Sequence, residues 1–151
     1  MPLAGIEGLT GTEIAVVAGE PTAYTKIAFE ALSYQTIIGV VTMGEWGNQE
    51  EDINEPLLKD SQVIHQNGPS DGGEVPISVQ YRATDPGSAI LLANGGSNTV
   101  VTIRKKYVSG ATEYGVGILT SPRYREASGS AIRGYTITAR INTPIFPFAG
   151  P

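Results

Sequence analysis

The chain has 151 residues, 40% of them hydrophobic, which is enough for one core and leaves little room for a second. Its 19 glycines and 10 prolines make up near a fifth of it, against a usual eighth or so, and only 17% is charged, against roughly a quarter; that balance suits a β-rich domain with many turns and excludes a coiled coil or long helical bundle. The net charge is −5 and cysteine is absent, which excludes disulfide scaffolds, thiolate metal sites, iron–sulfur clusters and cysteine nucleophiles.

Residues 1–11 hold Gly5, Gly8 and Gly11 without periodicity and read as an arm. Met1 to Glu7 has neither a basic region nor an apolar core, so no signal peptide is expected there. No apolar run approaches the ~18 residues of a membrane span, and a soluble protein of a reducing compartment is expected. Residues 12–18 read as a strand that ends at Gly19-Glu20-Pro21. Residues 22–34 fit a helical stripe (Tyr24, Ile27, Ala28, Ala31) and an alternating strand (Ile27, Phe29, Ala31) equally well, so both stay open.

Residues 35–43 are β-branched and apolar on both faces, as in a strand covered on two sides. Residues 44–73 lack clear periodicity and read as a long inserted loop. Six acids lie between Glu45 and Asp60, with room for a helical turn near 55–59. Loops beyond about 15 residues in compact domains are uncommon and usually functional.

Residues 75–82 alternate, with Val75, Ile77, Val79 and Tyr81 on one face. Asp85 then caps a short helix, Pro86 takes its first position, Ile90 to Ala93 supply its apolar face, and Asn94-Gly95-Gly96 stops it. Strands at 99–107 and 111–120 flank the turn Val108-Ser109-Gly110. The last and longest strand, 131–142, places Tyr135, Ile137, Ala139 and Ile141 on one side. The tail 143–151 is extended and carries Ile145, Phe146 and Phe148, to be packed on its own domain or on a neighbour. A single domain over 1–151 is expected.

Charge is unevenly placed. Residues 1–81 carry twelve acids against Lys26 and Lys59, while residues 82–151 carry eight bases against Asp85, Glu113 and Glu126. Such halves satisfy one another within a fold or across copies of it.

Catalytic readings fare poorly. A histidine base has to be His65, the only one, and no partners are assignable. Glu50-Glu51-Asp52 offers paired carboxylates or cation ligands but lacks the spacing of a calcium loop. Gly115-Val116-Gly117 lacks the third glycine and the helix of a dinucleotide site; glycines inside a strand more often admit a close neighbour. No catalytic residue, metal or cofactor is assigned. The bases Arg104, Lys105, Lys106, Arg123, Arg125, Arg133 and Arg140 sit in an acidic chain without a nucleic-acid motif, and suit the acidic loop better than DNA.

Taken in order over residues 12–142, these elements resemble the major tail tube proteins of long-tailed, siphovirus-type bacteriophages. The phrase Val79-Gln80-Tyr81-Arg82-Ala83-Thr84-Asp85-Pro86-Gly87 leading into the helix is part of that texture. The resemblance implies a mainly β fold, a small sandwich or barrel with one flanking helix. It further implies stacked hexameric rings forming a hollow tube, located in the virion tail and made in the host cytoplasm. Implied partners are other copies, the tape measure protein, the tail terminator and tail-tip proteins, and DNA in non-specific passage, with no membrane.

Under it, Glu50, Glu51, Asp52 and Glu55 are expected to face Lys105, Arg123 and Arg125 of another copy, and Ile145, Phe146 and Phe148 to act as apolar arms between copies. A DNA-conducting lumen should be polar or acidic rather than basic; Ser78 and Gln80, or Thr136 and Thr138, are its candidate lining. Three alternatives remain: the tube protein of a contractile tail or type VI-like system, a carbohydrate-binding sandwich using Trp46 with Tyr34 or Tyr81, and a hydrolase built on Glu50, Glu51 and Asp52.

Overall fold

A computed structural model describes residues 7–59 and 62–150. Among them the elements run β1 (Glu13–Ala18), α1 (Lys26–Glu30), β2 (Gln35–Thr36), β3 (Val40–Met43), β4 (Gln49–Asn54), β5 (His65–Asp71), β6 (Glu74–Gln80), α2 (Pro86–Asn94), β7 (Val101–Lys106), β8 (Thr112–Leu119), β9 (Arg123–Tyr124), β10 (Gly134–Ile141) and β11 (Phe146–Phe148). The mainly β expectation holds. Nine strands form one antiparallel sheet with the path β2-β1-β7-β8-β10-β6-β3, where β11 pairs with β8 and β9 with β10.

The two end strands of that path, β2 and β3, are successive pieces of one segment. Ile37 N donates to Ile14 O at 2.8 Å beside β1, and Gly39 O accepts from Gln80 N at 2.7 Å beside β6. The sheet therefore curls until it meets itself at residues 37–39. The single strand expected over 35–43 is split there, because Asp85 takes the amides of Ile38 (3.0 Å) and Gly39 (3.1 Å) out of the ladder. The same carboxylate caps α2 through Ser88 N at 3.2 Å. Gly87 has no side chain for a local reason: a Cβ there would stand 2.6 Å from Ile37 N, so its absence lets the first turn of α2 lie on the seam.

Strand alternation fills the interior. Val75, Ile77 and Val79 of β6 sit opposite Ala139, Ile137 and Tyr135 of β10, and all are buried. With Ile14, Val16, Val101, Ile103, Leu119, Ile141 and Leu91 of α2 they form the main core. Each large apolar side chain buried contributes about 1.5–3 kcal/mol. Tyr81, expected on that buried face, lies past the end of β6 and is exposed.

A second cluster, Phe29, Tyr114 and Val116 with Tyr34, Phe146 and Phe148, covers the other face of β8. Here α1 is a second helix beside the expected one, capped by Thr25 through Ala28 N at 3.3 Å and anchored by buried Phe29. That resolves the open segment 22–34. Five helical residues make little more than one turn, too few to carry a period. The tail is likewise a strand of its own sheet: β11 pairs Phe146 with Tyr114 and Phe148 with Thr112.

The largest departure is 44–73. Its greater part is a β-hairpin, β4 paired with β5 as a separate two-stranded sheet, and residues 58–59 form a turn rather than a helix. Of the arm expected at 1–11, residues 1–6 lie outside the described residues, and the Glu7 carboxylate accepts from Ser109 N at 3.0 Å.

Candidate functional site

The hairpin stands apart from the rest of the chain. All of β4 is exposed, and so is all of β5 except half-covered Gly68. In register, Glu50 faces Ser70 and Asp52 faces Asn67, so Gly68 and Pro69 together oppose Glu51 in a bulge. Proline is accepted there because a bulge requires no ladder donor. A Cβ on Gly68 would press within 3.0 Å of the Glu51 carbonyl, which explains the glycine. Asn54 faces His65, and His65 Nδ1 meets Asp52 Oδ2 at 2.9 Å; that hydrogen bond holds the Asp52 carboxyl below its usual range. Ile53, Leu57, Leu58 and Ile64 are exposed among these charges.

Both ends of the hairpin are fastened to the sheet. On the entering side, Gly44 N donates to Pro76 O at 2.9 Å, and the Trp46 indole donates to Glu113 Oε1 at 3.0 Å. That ring lies on Gly115, where a Cβ would come within 3.0 Å of it. On the leaving side, Gly73 N donates to Asp71 Oδ1 at 2.9 Å while Gly73 O accepts from Ile141 N at 3.0 Å, with Gly73 at φ +74°. The strand glycines expected to admit close neighbours do so: Gly117 runs against the Arg140 carbonyl, where any side chain would collide.

The proposed charge partners are spread out. Glu50, Glu51 and Asp52 lie on β4 and Glu55 just beyond it. Arg123 and Arg125 lie together at β9, and Arg125 is held by Ile132 O (3.0 Å) and Ser78 Oγ (3.3 Å). Lys105 is elsewhere, on β7 over the Tyr107 ring, 5.4 Å from its centroid. Its neighbours Arg104 and Lys106 line a different cleft with Lys26 and Tyr114, so the three consecutive bases do split between faces. Among the described residues one arginine–carboxylate pair forms, Arg140 to Glu74 at 3.0 Å. Among the described residues the acidic and basic halves are thus joined by this one ion pair.

Ile145 packs on Gly115 and the main core, while Phe146 and Phe148 lie against the stacked Phe29–Tyr114 pair. Within one chain they are an inner layer rather than free arms. Ser78, Gln80, Thr136 and Thr138 share the outward face of β6 and β10, all half-buried, with Ser78 and Thr136 in register. That face carries cations: Arg125 donates to Ser78, and Arg82 donates to Gln80 at 3.0 Å.

The rival chemistries gain nothing from this geometry. Among the described residues no group of three or more His, Asp or Glu side chains is placed to hold a metal. Trp46 is tied down beside β8, Tyr34 is half-buried against Tyr114, and Tyr81 stacks with Arg133, so the three aromatics do not converge on one cleft. No helix among the described residues is long and apolar enough to cross a membrane.

No protein-family model matches the sequence, and no curated protein does. Solved structures match its fold. One is a chain of the sheath–tube complex, in the extended state, of the extracellular contractile injection system PVC: TM-score 0.61, 12% identity, covering 97% of this chain and 94% of that one. Another is a chain of the six-fold symmetrised baseplate of the anti-feeding prophage: TM-score 0.57, 6% identity, covering 99% of this chain and 97% of that one. One comes from a contractile injection system and the other from a baseplate, and the fold of this chain is similar to theirs over nearly its whole length.

Proposed function

We propose that this chain is a tube subunit of a contractile injection system or contractile tail, whose copies form rings that stack into a hollow tube. The contractile alternative is better supported than the siphovirus-type reading, since one matched structure is the sheath–tube complex of a contractile injection system.

The observation that carries the reading is the hairpin. A lone two-stranded ribbon is marginally stable in water, yet this one is bolted at both ends and exposes Ile53, Leu57, Leu58 and Ile64. Such a ribbon gains its stability by lying on another copy. Its carboxylates contribute register more than strength, because exposed ion pairs are worth about 0–1 kcal/mol each. Contacts that repeat without closing build a filament, and those that close build the ring. The outward face of β6 and β10, with Arg82 and Arg125 on it, suits an acidic neighbour better than a path for phosphates.

The test is electron microscopy and sedimentation of the purified chain over a concentration series. Rings or tubes with a central hole are expected. A chain with Ile53, Leu57, Leu58 and Ile64 all changed to serine should keep its melting temperature and remain monomeric. A wild-type chain that stays monomeric at every concentration would overturn the proposal.

A further inference from the structure

Beside α2 lies an open groove of about 530 Å³, lined by Tyr81, Arg82, Leu92, Tyr124, Arg133 and Tyr135. The Arg133 guanidinium stacks over the Tyr81 ring, 4.1 Å from its centroid, and Tyr124 stands edge-on to Tyr135 at 6.2 Å. The Tyr135 hydroxyl is hydrogen-bonded to Ser88 Oγ, which fixes the floor. Tyr81, Tyr124 and Leu92 are exposed, an unusual grouping of large side chains beside three guanidinium groups. A smaller recess continues past Tyr124 and Arg133 to Arg125 and Ile132. The acid at the groove, Asp85, is turned into the amides of Ile38, Gly39 and Ser88; the recess holds one acid, Glu126, beside Arg125 and Arg133.

The groove is therefore apolar, aromatic and cationic. The hairpin carries the complementary set: Ile53, Leu57, Leu58 and Ile64 among Glu50, Glu51, Asp52 and Glu55. Both strands of the chain's own hairpin are exposed and so are not seated there. We propose that this groove receives the hairpin of a second copy, with Leu57 and Leu58 against Tyr81, Leu92 and Tyr124, and the hairpin carboxylates facing Arg82, Arg125 and Arg133. The assignment rests on the self-assembly reading and adds the receiving surface to it. It also separates the bases of the chain: the arginines around β9 and the end of β6 take the hairpin, while Lys105 on β7 does not.

The absence of native cysteine permits a direct test. Chains carrying Leu58→Cys with Leu92→Cys, and Leu58→Cys with Tyr124→Cys, are assembled and oxidised beside a control carrying Leu58→Cys with Val108→Cys. Disulfide-linked dimers and ladders on denaturing gels are expected for the first two and not for the control. Tubes that form normally while the groove pairs link no better than the control would overturn this assignment and leave the tube reading standing. A wild-type chain that never assembles would overturn both.

A second measurement covers misfolding of the cysteine chains. Arg82→Glu with Arg133→Glu should raise the concentration needed for assembly by about tenfold, and adding Glu51→Lys with Glu55→Lys in the same chain should reverse most of that rise. No reversal would overturn the pairing. Unchanged assembly of the double-glutamate chain together with loss of its affinity for a single-stranded oligonucleotide would assign the groove to nucleic acid instead.

Discussion

Trp46 and Tyr107 converge on one carboxylate oxygen: the indole nitrogen of Trp46 donates to Glu113 Oε1 at 3.0 Å, and the Tyr107 hydroxyl donates to the same atom at 2.9 Å. Glu113 on β8 thereby ties the segment between β3 and β4 to the turn that follows β7. Glu113→Ala leaves two donors without an acceptor and should lower stability by about 2 kcal/mol, with Glu113→Gln costing about half of that. Urea unfolding reads the loss. Limited proteolysis should cut faster in the hairpin of both variants, and equal cutting rates would show that the tie does not restrain it.

Tyrosines set the alkaline limit. Burial, followed by the hydrogen bond to Glu113, pushes Tyr107 from 10.0 up to about 12, and burial also raises Tyr34 and Tyr135. A raised folded-state value means that above pH 10 the unfolded chain releases these protons first, so the native state binds more protons and stability falls as pH rises. The part of the stability that these tyrosines contribute should be level below pH 10 and decline from there through about pH 12. In tyrosinate absorbance, Tyr107→Phe should remove amplitude from the high-pH end of the titration; a loss of amplitude near pH 10 instead would contradict the assignment.

Two glycines on one strand should respond differently to alanine. At Gly115 a new Cβ meets side chains, Ile145 and the Trp46 ring at 3.0 Å, which yield by small shifts. At Gly117 it meets the carbonyl of Arg140, which the β8–β10 ladder holds in place. Gly115→Ala should cost about 1–2 kcal/mol and Gly117→Ala about 3 or more. The order of the two thermal midpoints decides it.

Asp85→Ala should cost about 2–4 kcal/mol, since one carboxylate serves three backbone amides and caps α2. Asn at this position keeps one acceptor oxygen and should recover part of the loss. Amide exchange at Ile38 and Gly39 should accelerate in both variants; protection that survives Asp85→Ala would mean the seam is held by its neighbours alone.

What was legible in the sequence follows burial. β6 and β10 alternate because one face is in the core and the other is not, so Val75, Ile77, Val79, Ile137 and Ala139 announce themselves. Asp85-Pro86 reads as a helix start for equally local reasons. β4, with the sequence QEEDIN, has no buried face at all, so no two-residue period is written into it and it passes for loop. The break at 37–39 depends on a carboxylate 46 or 47 residues away, beyond any local window. The groove is assembled from the end of β6, α2, β9 and β10; Arg133 stood out in the sequence as a charge and Tyr81 as an aromatic, but nothing local brings them together.

The segment carrying β2 and β3 serves both margins of the curled sheet, and the hairpin emerges directly from β3 and returns into β6. The girth of the subunit is consequently fixed by connectivity: no strand can peel from that margin without first parting Ile37 from Ile14 and Gly39 from Gln80. Under the proposed assembly, a pull on the hairpin would pass through β3 into the seam and through β6 into β10, so the amides of Ile38 and Gly39 that Asp85 holds lie directly in its path.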